Sequence, residues 1–202
     1  MKTEIVPANE IQYALEILQN GGIVAFPTDT VYGLGALAFN NTAIESLYKA
    51  KDRPVEKAIP ILIADVDDLE RVADEIPHMV RILTSRFWPG PLTVLVPKKQ
   101  TLPSAISATS TVAVRIPDHA DARALLRAAG AMAVTSANIS GQPSPSTAQE
   151  VYGQLKGRIP LILDGGKTRA GVSSTLVDCT GEKPVVLREG PITLAELLAA
   201  YL

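Results

Sequence analysis

Side chains suited to polyanions and amino acids recur in this chain where strands are expected to end. Lys51-Asp52-Arg53-Pro54-Val55-Glu56-Lys57 sets three cations within seven residues around a stiffening proline. Cations placed between a helix end and an apolar run suit a nucleoside triphosphate or an RNA backbone. Taken alone, such a run is more often a solvated loop. Arg115 interrupts the apolar pattern of Thr111–Pro117; flanked by Val114 and Ile116, it is expected to point into a cleft, where it could hold a carboxylate. Arg188 follows the strand-like Val185–Leu187. Pro27-Thr28-Asp29-Thr30 places hydroxyls and a carboxylate at a strand end, and Gly33 and Gly35 then let the backbone approach something closely. Ser136-Ala137-Asn138-Ile139-Ser140-Gly141 and Pro143-Ser144-Pro145-Ser146 put small hydroxyls and an amide at another strand end. Ligand crevices of open α/β sheets are built this way, although helix capping and Asx-turns use the same residues.

This set suits nucleotidyl transfer, which needs positioning and charge neutralisation of a triphosphate, often with magnesium, and no protein nucleophile. The sequence has no Gly-x-Ser-x-Gly elbow. Its single cysteine, Cys179, has no histidine nearby in sequence and reads as a buried small apolar residue. His78 and His119 read as capping or surface residues, and with so few ligands a structural zinc site is not expected. Asp164-Gly165-Gly166-Lys167-Thr168 superficially suggests a phosphate loop, but Leu161 stands where the Walker pattern needs glycine and a strand-like run follows. Gly33-Leu34-Gly35 lacks the third glycine of a dinucleotide fingerprint.

The elements that must position these residues alternate along the chain. Helices are expected from Glu10 to Asn20 (capped by Asn9), Thr42 to Ala50 (capped by Asn41), Pro77 to Phe87, Asp121 to Ala129, Thr147 to Leu155, and Leu194 to about Leu202, with Thr193 as cap and Leu197 and Leu198 inward. Strands are expected at Ile23–Phe26, Ile61–Ala64, Leu92–Val96, Thr111–Pro117, Met132–Thr135, Leu161–Leu163, Val172–Val177 and Val185–Leu187. Trp88-Pro89-Gly90-Pro91 reads as a rigid structural corner. With 202 residues, 47% hydrophobic and 20% charged, and no linker or repeat, the chain reads as a single α/β domain over residues 1–202. Some neighbouring strands lack an intervening helix, so the sheet is expected to be mixed. A net charge of −2 argues against coating nucleic acid by bulk electrostatics but leaves room for a local basic patch. The lone cysteine, the absence of an apolar leader and the lack of a membrane-length apolar run point to a cytoplasmic protein.

These segments together resemble the YrdC-like threonylcarbamoyl-AMP synthases over nearly the whole chain. The resemblance rests on Pro27–Gly35, on Lys51-Asp52-Arg53-Pro54 with Lys57, on Phe87–Thr93, on Val112–Pro117 and on Thr135–Gly141. A Lys-x-Arg run followed by Ser-x-Asn is that family's signature. It implies a twisted, open α/β sheet with a concave, positively charged face. It also implies an ATP-binding transferase that condenses L-threonine, bicarbonate and ATP into threonylcarbamoyl-adenylate and pyrophosphate, for threonylcarbamoyladenosine modification of tRNA by partner proteins.

By resemblance, Thr30, Arg115 and Ser174 match threonine-contacting positions. Arg53, Lys57, Thr111, Ser136, Ser144 and Arg188 match ATP-contacting positions. Lys51 and Asn138 belong to the signature; Asn138 is placed with the nucleotide set, and Lys51 and Arg53 are the expected catalytic cations. Leu62 stands where some members carry a histidine. Long members have a further C-terminal domain that this chain, ending at Leu202, is expected to lack. The competing reading is a non-catalytic module that uses the basic face to bind tRNA or double-stranded RNA.

Overall fold

Apolar residues that alternate in facing along the strands build the molecule around one mixed sheet. The structure is a computed structural model describing residues 1–201; Leu202, the expected end of the last helix, lies outside the described residues. The strands are β1 Glu4–Pro7, β2 Val24–Phe26, β3 Gly33–Leu37, β4 Ile61–Leu62, β5 Leu92–Pro97, β6 Thr111–Arg115, β7 Met132–Ser136, β8 Leu161–Asp164, β9 Thr175–Asp178 and β10 Val185–Arg188. The helices are α1 Ile11–Gln19, α2 Asn41–Lys51, α3 His78–Phe87, α4 Ala120–Ala129, α5 Ala148–Leu155 and α6 Leu194–Tyr201. The strand order is β1-β8-β2-β3-β7-β4-β6-β5-β9-β10. Parallel pairs such as β4–β6 and β5–β9 occur in one sheet with antiparallel pairs such as β3–β7 and β5–β6, so the sheet is mixed, as expected.

The two-residue period of the strands sorts side chains onto two faces. Ala25, Ile61, Val94, Val114, Ala133 and Val177 belong to the larger core. Their neighbours Val24, Phe26, Leu62, Met132, Val134 and Leu161 belong to a second core, which includes Ala14 and Leu18 of α1 and Leu125 and Leu126 of α4. The second-core face is thus roofed by helices α1 and α4 over part of its width only. Beyond them, on β5, β6 and β9, residues of the same parity (Thr93, Leu95, Ala113, Arg115 and Leu176) line an open cavity. The concave face is the unroofed half of a sheet face.

Several expectations need correction. Gly33 and Gly35 lie in β3, between β2 and β7. A Cβ at Gly35 would sit 2.7 Å from Met132 Cε and 2.9 Å from Phe26 Cε1, and one at Gly33 would sit 2.7 Å from Val134 Cγ1. What Gly35 approaches closely is the protein's own core, while Gly33, packed against Val134, also lines the open cavity. Glu4–Pro7, to which the sequence analysis assigns no element, forms β1 by pairing with β8. The cap of α2 is Asn40, whose side chain accepts from the Ala43 N–H at 3.0 Å, and not Asn41. Helix α1 starts from Glu10 with no side-chain cap, so Asn9 does not cap it. Leu198 is exposed while Leu197 is buried.

Other expectations hold. Trp88 is buried and its indole N–H donates to Leu92 O at 2.7 Å, which closes the corner. His119 caps α4, accepting from the Ala122 N–H, and His78 is exposed at the start of α3. Cys179 is buried, and burial pushes its thiol up to about 12, which makes it inert. Among the described residues no helix is long and apolar enough to cross a membrane.

Candidate active site

The cavity, about 310 Å³ in volume, opens where β2, β5, β6, β7 and β9 deliver their ends. One corner is buried and polar. Parallel pairing of β4 with β6 sets Leu62 beside Arg115, and each guanidinium nitrogen makes one hydrogen bond, leaving two of its five N–H donors free. Arg115 Nε donates to Gly90 O at 2.9 Å and Nη1 to Thr30 Oγ1 at 2.7 Å. Nη2 pairs with the Asp29 carboxylate, which also accepts the Asp118 N–H at 3.1 Å. Burial lowers the pKa of Arg115 and the Asp29 charge opposes that drop, so the side chain stays cationic. Thr30 is itself held, its N–H donating to Thr28 Oγ1 at 3.2 Å. Across the corner, Ser174 Oγ and Thr93 Oγ1 lie 2.6 Å apart, and Arg188 donates to Ser174 O and Oγ. The arrangement is a charged fork flanked by fixed hydroxyls, of a size and polarity for an amino acid.

The second corner is more open. Helix α2 ends at Asp52 in the left-handed region, φ 50, a conformation that aspartate tolerates better than most residues. This reverses the chain and turns Arg53 toward the cavity. Arg53 Nε donates to Lys57 O at 3.2 Å and Nη2 to Ala58 O at 2.7 Å, so the bend of the basic stretch is tied to the arginine at its mouth. Burial lowers the pKa of Arg53. Thr111 and Ser136 join it on the wall. Among the described residues, the lining carries Arg53, Arg115 and Arg188 and no carboxylate.

The structure therefore gathers Thr30, Arg53, Thr111, Arg115, Ser136, Ser174 and Arg188 around one cavity. It does not bring Lys51, Lys57, Asn138 or Ser144 onto the wall. Lys57 is exposed on the rim-side bend, and Ser144 is half-buried beside Pro145, whose carbonyl accepts the Tyr32 N–H at 2.9 Å. Lys51 and Asn138 are buried behind the wall. Sequence reasoning missed Thr93 and undervalued Asp29. Thr93 sits in a quoted motif, but only the parallel register of β5 on β9, Thr93 opposite Leu176, reveals its neighbour.

A family model described as Sua5_yciO_yrdC, telomere recombination, matches residues 16–190. The chain belongs to the Sua5/YciO/YrdC family. A threonylcarbamoyl-AMP synthase of Pyrococcus abyssi (strain GE5 / Orsay) is 45% identical over 190 residues, 93% of this chain and 56% of that protein. A threonylcarbamoyl-AMP synthase of Bacillus subtilis (strain 168) is 44% identical over 193 residues, 94% of this chain and 56% of that protein. The crystal structure of P. abyssi Sua5 complexed with L-threonine matches with a TM-score of 0.93 at 43% identity, covering 98% of this chain and 59% of that one. The chain spans little more than half the length of these relatives. As a Sua5/YciO/YrdC sheet, its open face is the part that carries the arginines.

Proposed function

We propose that this chain carries L-threonylcarbamoyladenylate synthase activity, a nucleotidyl transfer that joins L-threonine, bicarbonate and ATP and releases pyrophosphate. The observation that carries the reading is the cavity's division into a buried amino-acid corner and an arginine-lined, anion-binding corner that touch at Arg188 and Ser174. Relatives named for this activity, one of them crystallised with L-threonine, support it.

In this reading Arg115 holds the threonine carboxylate with N–H donors not used on Gly90, Thr30 and Asp29, while Thr30 and Ser174 orient the substrate's amine and hydroxyl. The threonine amine adds to the carbon derived from bicarbonate, water leaves, and the resulting carbamate oxygen attacks the α-phosphorus of ATP. The bond to the β,γ-diphosphate breaks, and Arg53 and Arg188 offset the charge that collects on departing pyrophosphate. Thr111 and Ser136 position the nucleotide. Lys57 and Ser144 complete the nucleotide set by meeting the part of ATP beyond the mouth, and Asn138 supports that set from behind the wall. Confinement among buried walls protects the water-labile carbamate.

The lining offers no carboxylate cage for a resident magnesium ion, so magnesium enters on the triphosphate as part of the substrate. The adenylate would then pass to cytoplasmic partner proteins that modify tRNA. A non-catalytic RNA-binding role leaves the buried Arg115–Thr30–Asp29 corner unused. The test is pyrophosphate release by purified protein with ATP, magnesium, bicarbonate and threonine. Release that requires threonine supports the proposal; none with threonine, serine or any other amino acid overturns it.

A further inference from the structure

The two signature pairs, Lys51-x-Arg53 and Ser136-x-Asn138, divide into two layers. Arg53 and Ser136 face the cavity. Lys51 and Asn138 lie behind them, 1% and 6% exposed, and the link between the layers is direct. The Lys51 ammonium donates to the backbone carbonyls of Ser136 and Asn138. In return the Ser140 N–H donates to Lys51 O at 2.8 Å. Asn138 Nδ2 bridges Ile139 O and Gln142 O, both at 2.8 Å, and the Ala137 N–H is fixed on Tyr32 O at 2.8 Å. The end of helix α2 and the end of strand β7 are thereby clasped side by side.

We infer that Lys51 and Asn138 are positioning residues, a buried clasp that sets the Ser136 hydroxyl and the Arg53 bend against the nucleotide without touching it. Small residues give this strand end and turn little side-chain packing beyond Ala137, buried in the core, and Ile139 against it. An amine donor shared by two of its carbonyls, in surroundings that exclude water, adds the missing restraint, because breaking the bond leaves buried polar groups unpaired. The spacing follows from the backbone. Lys51 is the last residue of α2, directed inward with the helix's buried face. The left-handed turn at Asp52 sends Arg53 to the other side, so residues two apart serve opposite sides of one wall. Burial, together with the nearby Arg53 charge, also pulls the Lys51 ammonium down to about 7, as expected of a group enclosed by protein rather than open to a phosphate.

The inference rests on the synthase reading for its nucleotide and is tested by a double-mutant cycle with a ligand-free control. Lys51→Met is expected to raise the apparent KM for ATP about tenfold and leave that for threonine unchanged. Ser136→Ala added to it is expected to cause no further loss beyond the larger single effect. Losses that multiply mean that Lys51 acts on the nucleotide independently of Ser136, and overturn the inference. If Lys51→Met does not fold, Asn138→Ala with Ser136→Ala runs the same cycle with the same two outcomes. Amide hydrogen exchange without ligand is expected to quicken at Ala137 and Ser140 in Lys51→Met, and unchanged protection there overturns the clasp. A wild type that binds no ATP removes the synthase reading and this inference with it; the exchange measurement, needing no ligand, tells that failure from failure of the clasp.

Discussion

Arg188 donates to the backbone carbonyl of Ser174 from Nε at 3.1 Å and from Nη2 at 3.0 Å, and Nη2 reaches the Ser174 hydroxyl at 3.2 Å. The residue assigned to ATP therefore fixes the residue assigned to threonine. Arg188→Ala is expected to raise the apparent KM for both substrates, by about tenfold for threonine through loss of charge-assisted hydrogen bonds. Steady-state kinetics with each substrate varied in turn checks this. An effect on ATP alone would separate the two corners.

The Arg115–Asp29 pair is buried, with side chains 7% and 8% exposed. Removing one partner of such a pair strands the other charge, at a penalty of about 3–5 kcal/mol. Asp29→Ala should show a loss of that order in urea unfolding, with weakened threonine use because Arg115 and the Asp118 N–H lose a shared anchor. A loss below about 1 kcal/mol would mean that the pair is wetter than the structure places it.

Lys51 gives the stability a pH dependence of known sign. Its folded pKa, about 7, lies below its ordinary value of 10.5. Between these values the unfolded chain binds more protons, so stability rises with pH; the destabilising contribution is complete below about 7 and relieved above it. Cys179 and Tyr32, both raised to about 12 by burial from 9.0 and 10.0, act in the opposite direction, so pH 7 to 9 is the clean window. Denaturation midpoints should climb across that window in the wild type and climb less in Lys51→Met. Parallel profiles would contradict the assignment.

Thr93→Val keeps the shape of β5 but removes the hydroxyl 2.6 Å from Ser174 Oγ. Ser174 keeps Arg188, so the expected effect is about 1 kcal/mol, roughly fivefold in apparent threonine affinity, with ATP affinity unchanged. Isothermal titration with each substrate reads the two separately. An equal effect on both would place Thr93 in the scaffold alone.

The fold was legible wherever period and punctuation agreed. The apolar alternation of Thr111–Arg115 and the helix leading into Lys51 were both read, and both stand. β3 was not, because its glycines read locally as a place of close backbone approach, while the packing of Phe26, Met132 and Val134 requires them in a strand. β1 is short, and its pairing with β8 is set by residues more than a hundred and fifty positions away, a contact no local pattern encodes. For the site, the residue types were legible but their depth was not. Lys51 and Arg53 look alike in sequence, and only the left-handed turn between them sends one into the interior and the other to the cavity. Thr93 gave no signal because its partner Ser174 directly precedes β9, a strand brought alongside by parallel pairing.

The central claim is that the amino acid reacts as a carbamate, and isotope-labelled bicarbonate tests it most directly. Protein incubated with ATP, magnesium, threonine and carbon-labelled bicarbonate is expected to yield an adenylate of threonine that carries the label, seen by mass spectrometry alongside pyrophosphate. An unlabelled threonyl-adenylate, formed by attack of the substrate's own carboxylate, or no adenylate at all, would contradict the account.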